Sequence, residues 1–571
     1  DACEDREDIQ VRQSKTHKPV PQADGNLLHS VYDPEQEAAR MVRDLPGPPG
    51  TLTVFGLGFG YHLREILCTV QGPVNLIEPS MGMFCSFLET VDLAPFLPRV
   101  RFWIDQPPPR LLARFNPETW KVWAHPPSVR RNRTYFLRLE TGMSLQAALQ
   151  RESLRILVLP PIYGGSLPTA QFCAEALREL GHLPTLAPCD RFADSFSAVG
   201  DITKNPEHSA VLADRFMGMM EEMIMAQAAA AQPDLIIGLA QAPLGKSGIA
   251  RLRALGAPIV FWFVEDFRTL TYWQTMAVEY DHFFTIQQGE FHGALRGAGC
   301  PDAYYLPQGC HPAVHRPLTL TREDVEQYGA EVSFMGAPYY NRQQAFTRLL
   351  DLDLKIWGSG WDPGSVFGRL LQKGGERVTS EECVRIYNGG KVNLNLHSST
   401  FHEGVNPQGD FVNPRTFEIA GCGGFQLVDA RSELPELFRE GREMATFTTL
   451  PELHDRILHF LAHPGERSAL AEAGRRRVLA EHTLKHRMQE LLLHVFTPRV
   501  DWLQERLGER QSPLSILTRQ AGPETALGGY LQQFEGVEDF SIKSITDHVQ
   551  KGEGKLSKEE LLLLMVDQVV K

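Results

Sequence analysis

The sequence predicts an α/β protein built from three Rossmann-like units and a helical tail. Each unit begins with a strand-forming segment, at 51–57, 155–159 and 331–335, that runs into a turn and a helical segment. Strands that alternate with helices are typical of parallel sheets. A chain of 571 residues has room for several domains of roughly 100–200 residues each. We therefore expect a polar, poorly ordered leader at 1–30, Rossmann-like units at 31–150, 151–315 and 316–499, and a tail at 500–571.

Composition and charge narrow the class of protein. The formal net charge is -13, which argues against nucleic acid or an anionic membrane surface as a partner. The chain contains no apolar run of ~18 residues, so we expect no membrane span. The polar first residues do not resemble a signal peptide. Nine cysteines show neither C-x-x-C pairs nor zinc spacing, which favours free thiols in the cytoplasm.

The first unit contains a glycine-rich turn, Gly56-Leu-Gly58-Phe-Gly60, between a strand and a helix. The next strand ends at Glu78. A glycine turn followed by such an acid opens Rossmann domains that bind nucleotides, because the acid can hold a ribose. A lone glycine motif is weak evidence, so two interpretations stay open. The unit is a scaffold or docking domain, or it binds a cofactor such as S-adenosylmethionine and acts as a methyltransferase.

The second unit places polar groups where its strands end. Gly164 and Gly165 follow the first strand, and Glu265 and Asp266 end the strand at 258–264. Loops at the carboxyl ends of parallel strands carry ligand sites. The glycines would let a ligand approach the backbone closely. Either acid could orient a substrate hydroxyl or act as a general base, and a surface or helix-capping role is the alternative.

The third unit carries the sharpest motif, Asn413-Pro-Arg415-Thr-Phe-Glu418, preceded by Asp410 and followed by a glycine-rich turn. Asn413 can cap a helix and Pro414 suits its first turn. The helix N-terminus and Arg415 can together hold a diphosphate. Glu418 lies one turn further on and can accept both hydroxyls of a ribose. The alternative is a structural helix with a salt-bridged Glu418.

Other residues of the third unit also follow strand ends. Gly336 ends the first strand, and Asn341 and Arg342 come soon after it. Arg342 could reach a phosphate, or it could lie in solvent at the start of a helix. Gly358 follows the second strand. His397 ends the third strand and is expected to face the ligand, although a histidine there is more often a structural hydrogen-bonding group.

These motifs resemble a known class of enzymes. The spacing from Asp410 to Glu418, with the glycine turn after it, is similar to the donor-site signature of retaining GT-B glycosyltransferases. Residues 332–493 resemble the glycosyltransferase family that includes spore-maturation proteins. One departure is the first acid, which is Asp here and Glu in the broad pattern. The matching segments are Phe334–Gly336 with Asn341-Arg342, Trp357–Trp361, Asn393–Asn395, Asn413–Glu418, Glu433–Phe438 and His482-Thr483.

The resemblance implies two facing lobes, with the acceptor side in 151–315 and the nucleotide-sugar side in 316–499. It implies sugar transfer from a nucleotide-sugar to a protein, glycan or cell-envelope acceptor, with retention of configuration. Asp410 would contact donor-sugar hydroxyls. If configuration is inverted instead, Asp266 or Glu265 is the candidate base. A sugar-binding assembly protein without activity is the non-enzymatic alternative.

We expect no metal and no cofactor. No D-x-D triplet stands at an expected strand end, and Arg415 and Arg342 could stabilise the departing diphosphate.

The first unit carries a second resemblance. Ser30-Val-Tyr32-Asp-Pro34, Glu37-Ala38 and Gly56–His62 are similar to the N-terminal domain of motility-accessory-factor glycosyltransferases. Those proteins modify flagellin, so the resemblance makes flagellin one candidate acceptor.

The sequence of the tail predicts one strongly apolar helix over 559–570. Leu561, Leu564 and Met565 fall on one stripe, and Leu562 and Leu563 widen it. A helix that is apolar around most of its circumference must be buried. We therefore expect it to dock on its own chain or to mediate self-association.

Overall fold

The computed structural model describes residues 9–43, 45, 51–115, 121–398 and 404–508, and in the tail residues 514, 517–518, 521–522, 524–534, 545–546, 548–549 and 555–570. The chain divides into a large unit that ends at Pro498 and a tail unit that begins at Arg499. None of the described helices combines the length and the apolar character that crossing a bilayer requires.

A small antiparallel sheet of three strands comes first, β1 (Ile9–Gln13), β2 (Pro19–Ala23) and β3 (Asn26–Leu27). This corrects the unstructured leader expected at 1–30, as far as its described residues 9–30 are concerned. The sheet forms because Val20, Ala23 and Leu28 are buried against the first Rossmann-like domain. Its polar side chains face solvent, so the few buried apolar residues of the sheet produce no recognisable strand pattern in the sequence.

The N-terminal domain has a four-stranded parallel sheet in the order β6-β5-β4-β7. The strand predicted at 51–57 and the next strand, predicted to end at Glu78, are confirmed, and β6 and β7 were not predicted. Its elements are α1 (Pro34–Val42), β4 (Leu52–Phe55), α2 (Tyr61–Thr69), β5 (Val74–Glu78), α3 (Met81–Thr90), β6 (Val100–Ile104), α4 (Pro108–Arg114), β7 (Lys121–Ala124), α5 (Pro126–Arg131) and α6 (Arg133–Leu149).

The next lobe, called the N-lobe here, has six parallel strands in the order β13-β12-β11-β10-β8-β9. Its central strands are buried on both faces, which explains their continuous apolar runs. Its elements are β8 (Arg155–Leu159), α7 (Leu167–Glu179), β9 (Leu183–Leu186), α8 (Ala193–Asp201), α9 (Pro206–Ala231), β10 (Leu235–Leu239), α10 (Lys246–Arg253), β11 (Ile259–Phe263), α11 (Trp273–Met276), β12 (His282–Thr285), α12 (Glu290–Gly297) and β13 (Ala303–Tyr305).

The second lobe, the C-lobe, has five parallel strands in the order β15-β14-β16-β17-β18. Its elements are α13 (Arg322–Tyr328), β14 (Ala330–Met335), α14 (Tyr340–Phe346), β15 (Leu354–Trp357), α15 (Ser380–Gly389), β16 (Gly390–Asn395), α16 (Arg415–Gly421), β17 (Gln426–Asp429), α17 (Leu434–Leu437), β18 (Ala445–Phe447), α18 (Leu450–Ala462), α19 (Pro464–Glu481) and α20 (Leu484–Phe496).

Helix α20 returns from the C-lobe and packs on α7 of the N-lobe and α4 of the N-terminal domain. Glu490 on this helix accepts hydrogen bonds from Arg110 (3.0 Å) and Tyr304 (2.9 Å), so one buried carboxylate joins all three parts. The predicted fold class is confirmed: two Rossmann-like lobes, a further N-terminal Rossmann-like domain, and a helical tail.

The tail unit has its own small apolar cluster, formed by Leu514, Leu531, Phe534, Ile545 and Val549. Helices include Val500–Gly508, Ala526–Gln532 and Lys558–Val570, so the predicted apolar helix is confirmed. Leu563 and Leu564 pack against the cluster. Leu561, Leu562 and Met565 are exposed, by 50%, 55% and 63%.

Candidate active site

A cleft of about 540 Å³ lies between the N-lobe and the C-lobe. Loops after β8 and β11 form one wall, and loops after β14, β15 and β16 with the start of α16 form the other. The carboxyl ends of parallel strands thus border the cleft from both sides, where such sheets bind ligands. The predicted residues that line it are Gly165, Glu265, Asp266, Gly336, Arg342, Gly358, Asn413, Arg415 and Glu418.

Two glycines let the C-lobe loops pack closely. A Cβ atom at Gly336 would lie 2.8 Å from Nη1 of Arg415 and 3.2 Å from Nη1 of Arg342. A Cβ atom at Gly358, where φ is +121°, would lie 2.7 Å from the carbonyl oxygen of Gly336. Only glycine therefore fits at both positions without displacing the backbone or the guanidinium groups.

Arg342 and Arg415 place two positive charges side by side. Arg415 donates to the carbonyl of Met335 (2.7 Å), and Arg342 donates to the carbonyls of Leu396 (3.0 Å) and Ala337 (2.9 Å). Nε of Arg415 is buried without a hydrogen-bond partner among the described residues. Burial and the neighbouring Arg415 charge lower the pKa of Arg342. The described hydrogen bonds of both groups go to neutral carbonyls, and both groups also lie over aromatic rings, so the pair can accept an anion.

The start of α16 differs from the expected phosphate site. Asn413 caps the helix as predicted, because its Oδ1 accepts from the amide of Thr416 (3.2 Å). The amides of Phe417 and Glu418 each donate to the carbonyl of Pro414 (3.0 Å). Amides expected to face a diphosphate are therefore bonded within the chain. The guanidinium groups, rather than the helix N-terminus, offer the cationic surface of the cleft.

Glu418 presents a carboxylate to the cleft. Its Oε2 accepts from the hydroxyl of Tyr387 (3.3 Å), and its Oε1 lies 3.9 Å from Nε2 of His315. Burial lowers the pKa of His315. The Glu418 side chain is 19% exposed. Glu418 thus keeps a carboxylate oxygen open to a ligand's hydroxyl groups.

His397 does not face the cleft, and that expectation is wrong. Its Nδ1 donates to Asp429 (2.6 Å) and its Nε2 accepts from the amide of Asn413 (3.0 Å). Burial lowers the pKa of His397 to about 4, which keeps the ring neutral. Asn341 is buried beside it and donates to the His397 carbonyl (2.8 Å). Both residues hold the cleft wall in place from behind.

Asp410 and Gly164 lie outside the set of cleft-lining residues. The Asp410 carboxylate accepts from Arg268 (2.8 Å) and Gln287 (2.7 Å) of the N-lobe. The carbonyl of Gly164 accepts from Arg377 of the C-lobe (2.6 Å). The structure therefore shows both positions as contacts between the lobes. The carboxylate that the family resemblance assigned to the donor sugar is thus paired with the Arg268 cation.

The two acids of the N-lobe do line the cleft. Glu265 accepts from Gln241 and from the hydroxyl of Tyr272, each at 2.8 Å. Burial raises the pKa of Glu265, and these two hydrogen bonds act in the opposite direction. Asp266 accepts from the amide of Arg268 (3.1 Å). Both acids occupy the wall opposite the guanidinium pair.

Sequence reasoning missed several residues of the cleft. Arg377, Ser380 and Cys383 come from the loop before α15 and from that helix, where no motif marked them. Ser359 stands inside the matched Trp357–Trp361 segment, so the resemblance could have found it. Other lining residues that were missed include Phe172, Gln308, His315, Tyr339, Ser398 and Phe411.

Protein side chains occupy the space beside the glycine turn of the N-terminal domain. A Cβ atom at Gly58 would lie 2.4 Å from Nε2 of His29, and one at Gly56 would lie 2.2 Å from Cβ of Ser128. The Glu78 carboxylate is buried and accepts from the amides of Leu57 (2.8 Å) and Ser80 (3.0 Å). The turn and the acid are both used inside the domain, which favours the scaffold interpretation over cofactor binding.

Comparison with known proteins gives the following matches. Residues 342–493 match a family model described as glycosyl transferase-like. The chain is 24% identical over 269 residues to the spore protein CgeB of Bacillus subtilis (strain 168), covering 44% of this chain and 80% of CgeB. Sucrose-phosphate synthase from Thermosynechococcus elongatus aligns at a TM-score of 0.42 and 13% identity, over 60% of this chain and 99% of that one. Anabaena HepE, in complex with UDP and glucose, aligns at 0.41 and 11%, over 60% and 99%.

The two facing lobes and the matched C-lobe resemble a glycosyltransferase of the GT-B class. In sequence the chain is similar to CgeB.

Proposed function

We propose that the chain transfers a sugar from a nucleotide-sugar to a hydroxyl acceptor, with the donor diphosphate bound by Arg342 and Arg415. The observation that carries this proposal is the adjacency of two guanidinium groups whose described hydrogen bonds all go to neutral carbonyls. A diphosphate offers enough charge and enough acceptor oxygens for both groups. Charge-assisted hydrogen bonds of this kind are about twice as strong as neutral ones.

Glu418 supports a nucleoside as the other part of the donor. It stands three residues along α16 from Arg415 and its carboxylate is open to the cleft. An ionised carboxylate only accepts hydrogen bonds, so its natural partners are hydroxyl donors such as those of a ribose. A cation pair next to such an acid matches a diphosphate joined to a ribose.

The reaction breaks the bond between the sugar C1 atom and the diphosphate oxygen. Negative charge then develops on the leaving oxygen, where Arg415 and Arg342 stabilise it. We propose that configuration is retained: the acceptor oxygen bonds to C1 on the face the diphosphate leaves, and the leaving phosphate oxygen takes the hydroxyl proton. The products are the glycoside and the nucleoside diphosphate.

Glu265 and Asp266 would orient the acceptor hydroxyl from the N-lobe wall. Glu265 is fixed by Gln241 and Tyr272, so its position is defined before the acceptor arrives. If the product were inverted, one of these acids would take the proton instead. The stereochemistry of the product therefore decides their role.

We propose that transfer needs no metal. The cations available to the diphosphate are arginines, and among the described residues the two clusters with metal-ligand chemistry do not line the cleft. A metal requirement would call for carboxylates next to the phosphates, where the guanidinium groups lie.

Exposed apolar side chains of the N-lobe support a macromolecular acceptor. Tyr163, next to the cleft-edge glycines, is 57% exposed and contacts Phe196 of α8. Ile202, just after α8, and Met219 of α9 are also exposed. We propose a protein acceptor, with flagellin as the first candidate, or a cell-envelope polymer. The eight described cysteines are free thiols, which supports a reducing compartment such as the cytoplasm.

The test is a thermal-shift screen of UDP-, GDP-, dTDP- and CMP-sugars with the full chain and with Arg415→Ala. We expect one nucleotide class to raise the melting temperature of the wild type and to lose that effect in the variant. Arg476→Ala, whose side chain is largely exposed, is the matched control and should behave as wild type. If no nucleotide-sugar stabilises the wild type, the donor assignment is wrong.

The selected donor then serves in a transfer assay with flagellin and envelope glycans. Proton NMR of the product reads the anomeric configuration. EDTA should leave the rate unchanged. A rate that EDTA abolishes and Mg²⁺ or Mn²⁺ restores would contradict the metal-independent mechanism. Binding without any hydrolysis or transfer would identify a sugar-binding protein instead.

A further inference from the structure

Three histidines from distant segments meet inside the N-terminal domain. His29 follows β3, His62 lies in the first turn of α2, and His125 follows β7. One ligand atom of each lies within 4.8 Å of the others, and all three residues are buried. They stand at the carboxyl ends of β4 and β7, the adjacent strands between which the strand order reverses. Parallel sheets bind ligands at this position.

Each of two rings uses one nitrogen in a hydrogen bond. Nε2–H of His62 donates to the carbonyl of Gly56 (3.0 Å), which leaves a lone pair on Nδ1. Nδ1 of His125 is hydrogen-bonded to the hydroxyl of Ser128 (2.8 Å), and when this hydroxyl accepts, a lone pair is left on Nε2 of His125. Among the described residues, neither of these buried nitrogens has a hydrogen-bond partner. Burying a polar group without a partner is unfavourable, so the pair calls for a ligand that accepts electron pairs.

We propose that His29, His62 and His125 bind one divalent transition-metal ion, with zinc as the principal candidate. Imidazole nitrogens are preferred ligands of zinc and of its neighbours nickel, copper and cobalt. Metal-binding histidines usually donate their second ring nitrogen to a carbonyl or another acceptor, as His62 does to the carbonyl of Gly56.

The arrangement of the rings indicates which rearrangement metal binding requires. The rings of His62 and His125 are stacked, with 4.3 Å between centroids and 9° between planes. A shared ion needs both lone pairs to converge, so one ring rotates out of the stack on binding. Nε2 of His29 accepts from the amide of Phe59 (3.0 Å) and exchanges that hydrogen bond for the metal. The ion would then fix the segment before α1 onto the glycine turn.

The other histidine cluster contains a carboxylate that binds its two rings to each other. Asp302 accepts from His282 and from His494, each at 2.6 Å, and of the two rings only Nε2 of His282 is buried without a partner among the described residues. Their role is to join α20 to the N-lobe sheet. This cluster therefore provides a matched control for the N-terminal triad.

The experiment titrates the chelator-stripped full chain with Co²⁺ and then Zn²⁺, with a weak chelator present to mask surface histidines. We expect one Co²⁺ per chain with visible d–d absorption, displacement of that absorption by Zn²⁺, and a higher melting temperature of the metal-loaded chain. His125→Gln should abolish binding, and Ser128→Ala should weaken it by about 10- to 100-fold, as losses of such supporting groups do. The readout is independent of sugar transfer.

Two controls make the result specific. His494→Gln removes a member of the His282–Asp302–His494 cluster, and His459→Gln removes a member of an exposed histidine pair; both should keep one ion per chain. A wild-type chain that is folded yet takes up no Co²⁺ or Zn²⁺ would overturn the proposal. So would full uptake by a folded His125→Gln variant. If that variant does not fold, the wild-type titration and Ser128→Ala decide.

Discussion

Arg268 of the N-lobe and Asp410 of the C-lobe form an ion pair between the two lobes, with 2.8 Å between Nη1 and Oδ1. Arg268 also pairs with Glu290, and Asp410 also accepts from Gln287. Asp410 occupies the first acidic position of the donor-site spacing, yet its carboxylate is directed at the opposite lobe. The acid of the donor-site motif is therefore part of a contact that holds the two lobes relative to each other.

Arg268→Ala and Asp410→Ala should lower sugar transfer by similar factors of about 5, since a partly exposed pair contributes up to about 1 kcal/mol. The double variant should lose no more than either single one, which a double-mutant cycle on the transfer rate measures. Donor affinity should stay within about twofold of wild type in each, because neither group contacts the donor. A large loss of donor affinity in Asp410→Ala alone would restore the sugar-contact role.

Glu418→Ala should weaken binding of the donor nucleotide. The lost hydrogen bonds to a charged acceptor cost about 1.5–3 kcal/mol, roughly 10- to 100-fold in Kd by calorimetry. The same nucleotide without its 2′- and 3′-hydroxyls should bind wild type and variant equally. Glu472→Ala, an exposed acid of α19, is the control. A deoxy analogue that still distinguishes the two proteins would remove the ribose from the Glu418 assignment.

Arg415→Ala should damage turnover far more than folding. Its guanidinium would stabilise charge on the leaving diphosphate, and loss of one such group costs on the order of 100- to 1000-fold in kcat. The melting temperature should change little, because the described hydrogen bond of Arg415 goes to a single backbone carbonyl. Arg415→Lys should recover part of the rate by returning the charge. Full activity of Arg415→Ala would exclude a role in the reaction.

Tyr272→Phe should move the acidic limb of the pH–rate profile to higher pH. The Tyr272 hydroxyl donates to Glu265 and stabilises its charged form, so removing it raises a pKa that burial has already raised. If Glu265 must be ionised to hold the acceptor, activity falls as pH drops through that pKa, and the variant loses activity first. Glu265→Gln should abolish this limb. A profile unchanged by Tyr272→Phe would show that Glu265 does not titrate in the reaction.

Most strands were predictable because their apolar runs are local signals. Arg155–Leu159 begins and ends where the sequence predicted. β9 was missed because it is an edge strand, half exposed and containing Pro184. β1 and β2 were missed because their apolar residues are few and are buried by another part of the domain.

Cleft residues could be predicted only where two functional side chains stand close together in the sequence. Arg415 and Glu418 stand on one short helix, and Glu265 and Asp266 end one strand, so spacing alone could group them. Asp410 could not be placed, because its partner Arg268 lies 142 residues away. Long-range contacts of this kind decide whether a motif residue faces a ligand or the protein.

The tail helix Lys558–Val570 leaves Leu561, Leu562 and Met565 exposed on its described part, although Leu563 and Leu564 pack on the tail cluster. Large adjacent apolar side chains on a surface are typical of a contact with another protein. We predict that this face joins two copies of the chain. Burial of one such side chain contributes about 1.5–3 kcal/mol, so Leu562→Lys with Met565→Lys should weaken self-association by at least about 10-fold in Kd. Sedimentation velocity over a range of concentrations measures the shift.

Leu556→Lys, which changes an exposed leucine before the helix, should leave the oligomeric state as in wild type. Deleting 551–571 should also remove self-association, and by exposing the tail cluster it should promote aggregation. If the double variant and the deletion both keep the oligomeric state and the melting temperature of the wild type, the helix does not mediate assembly.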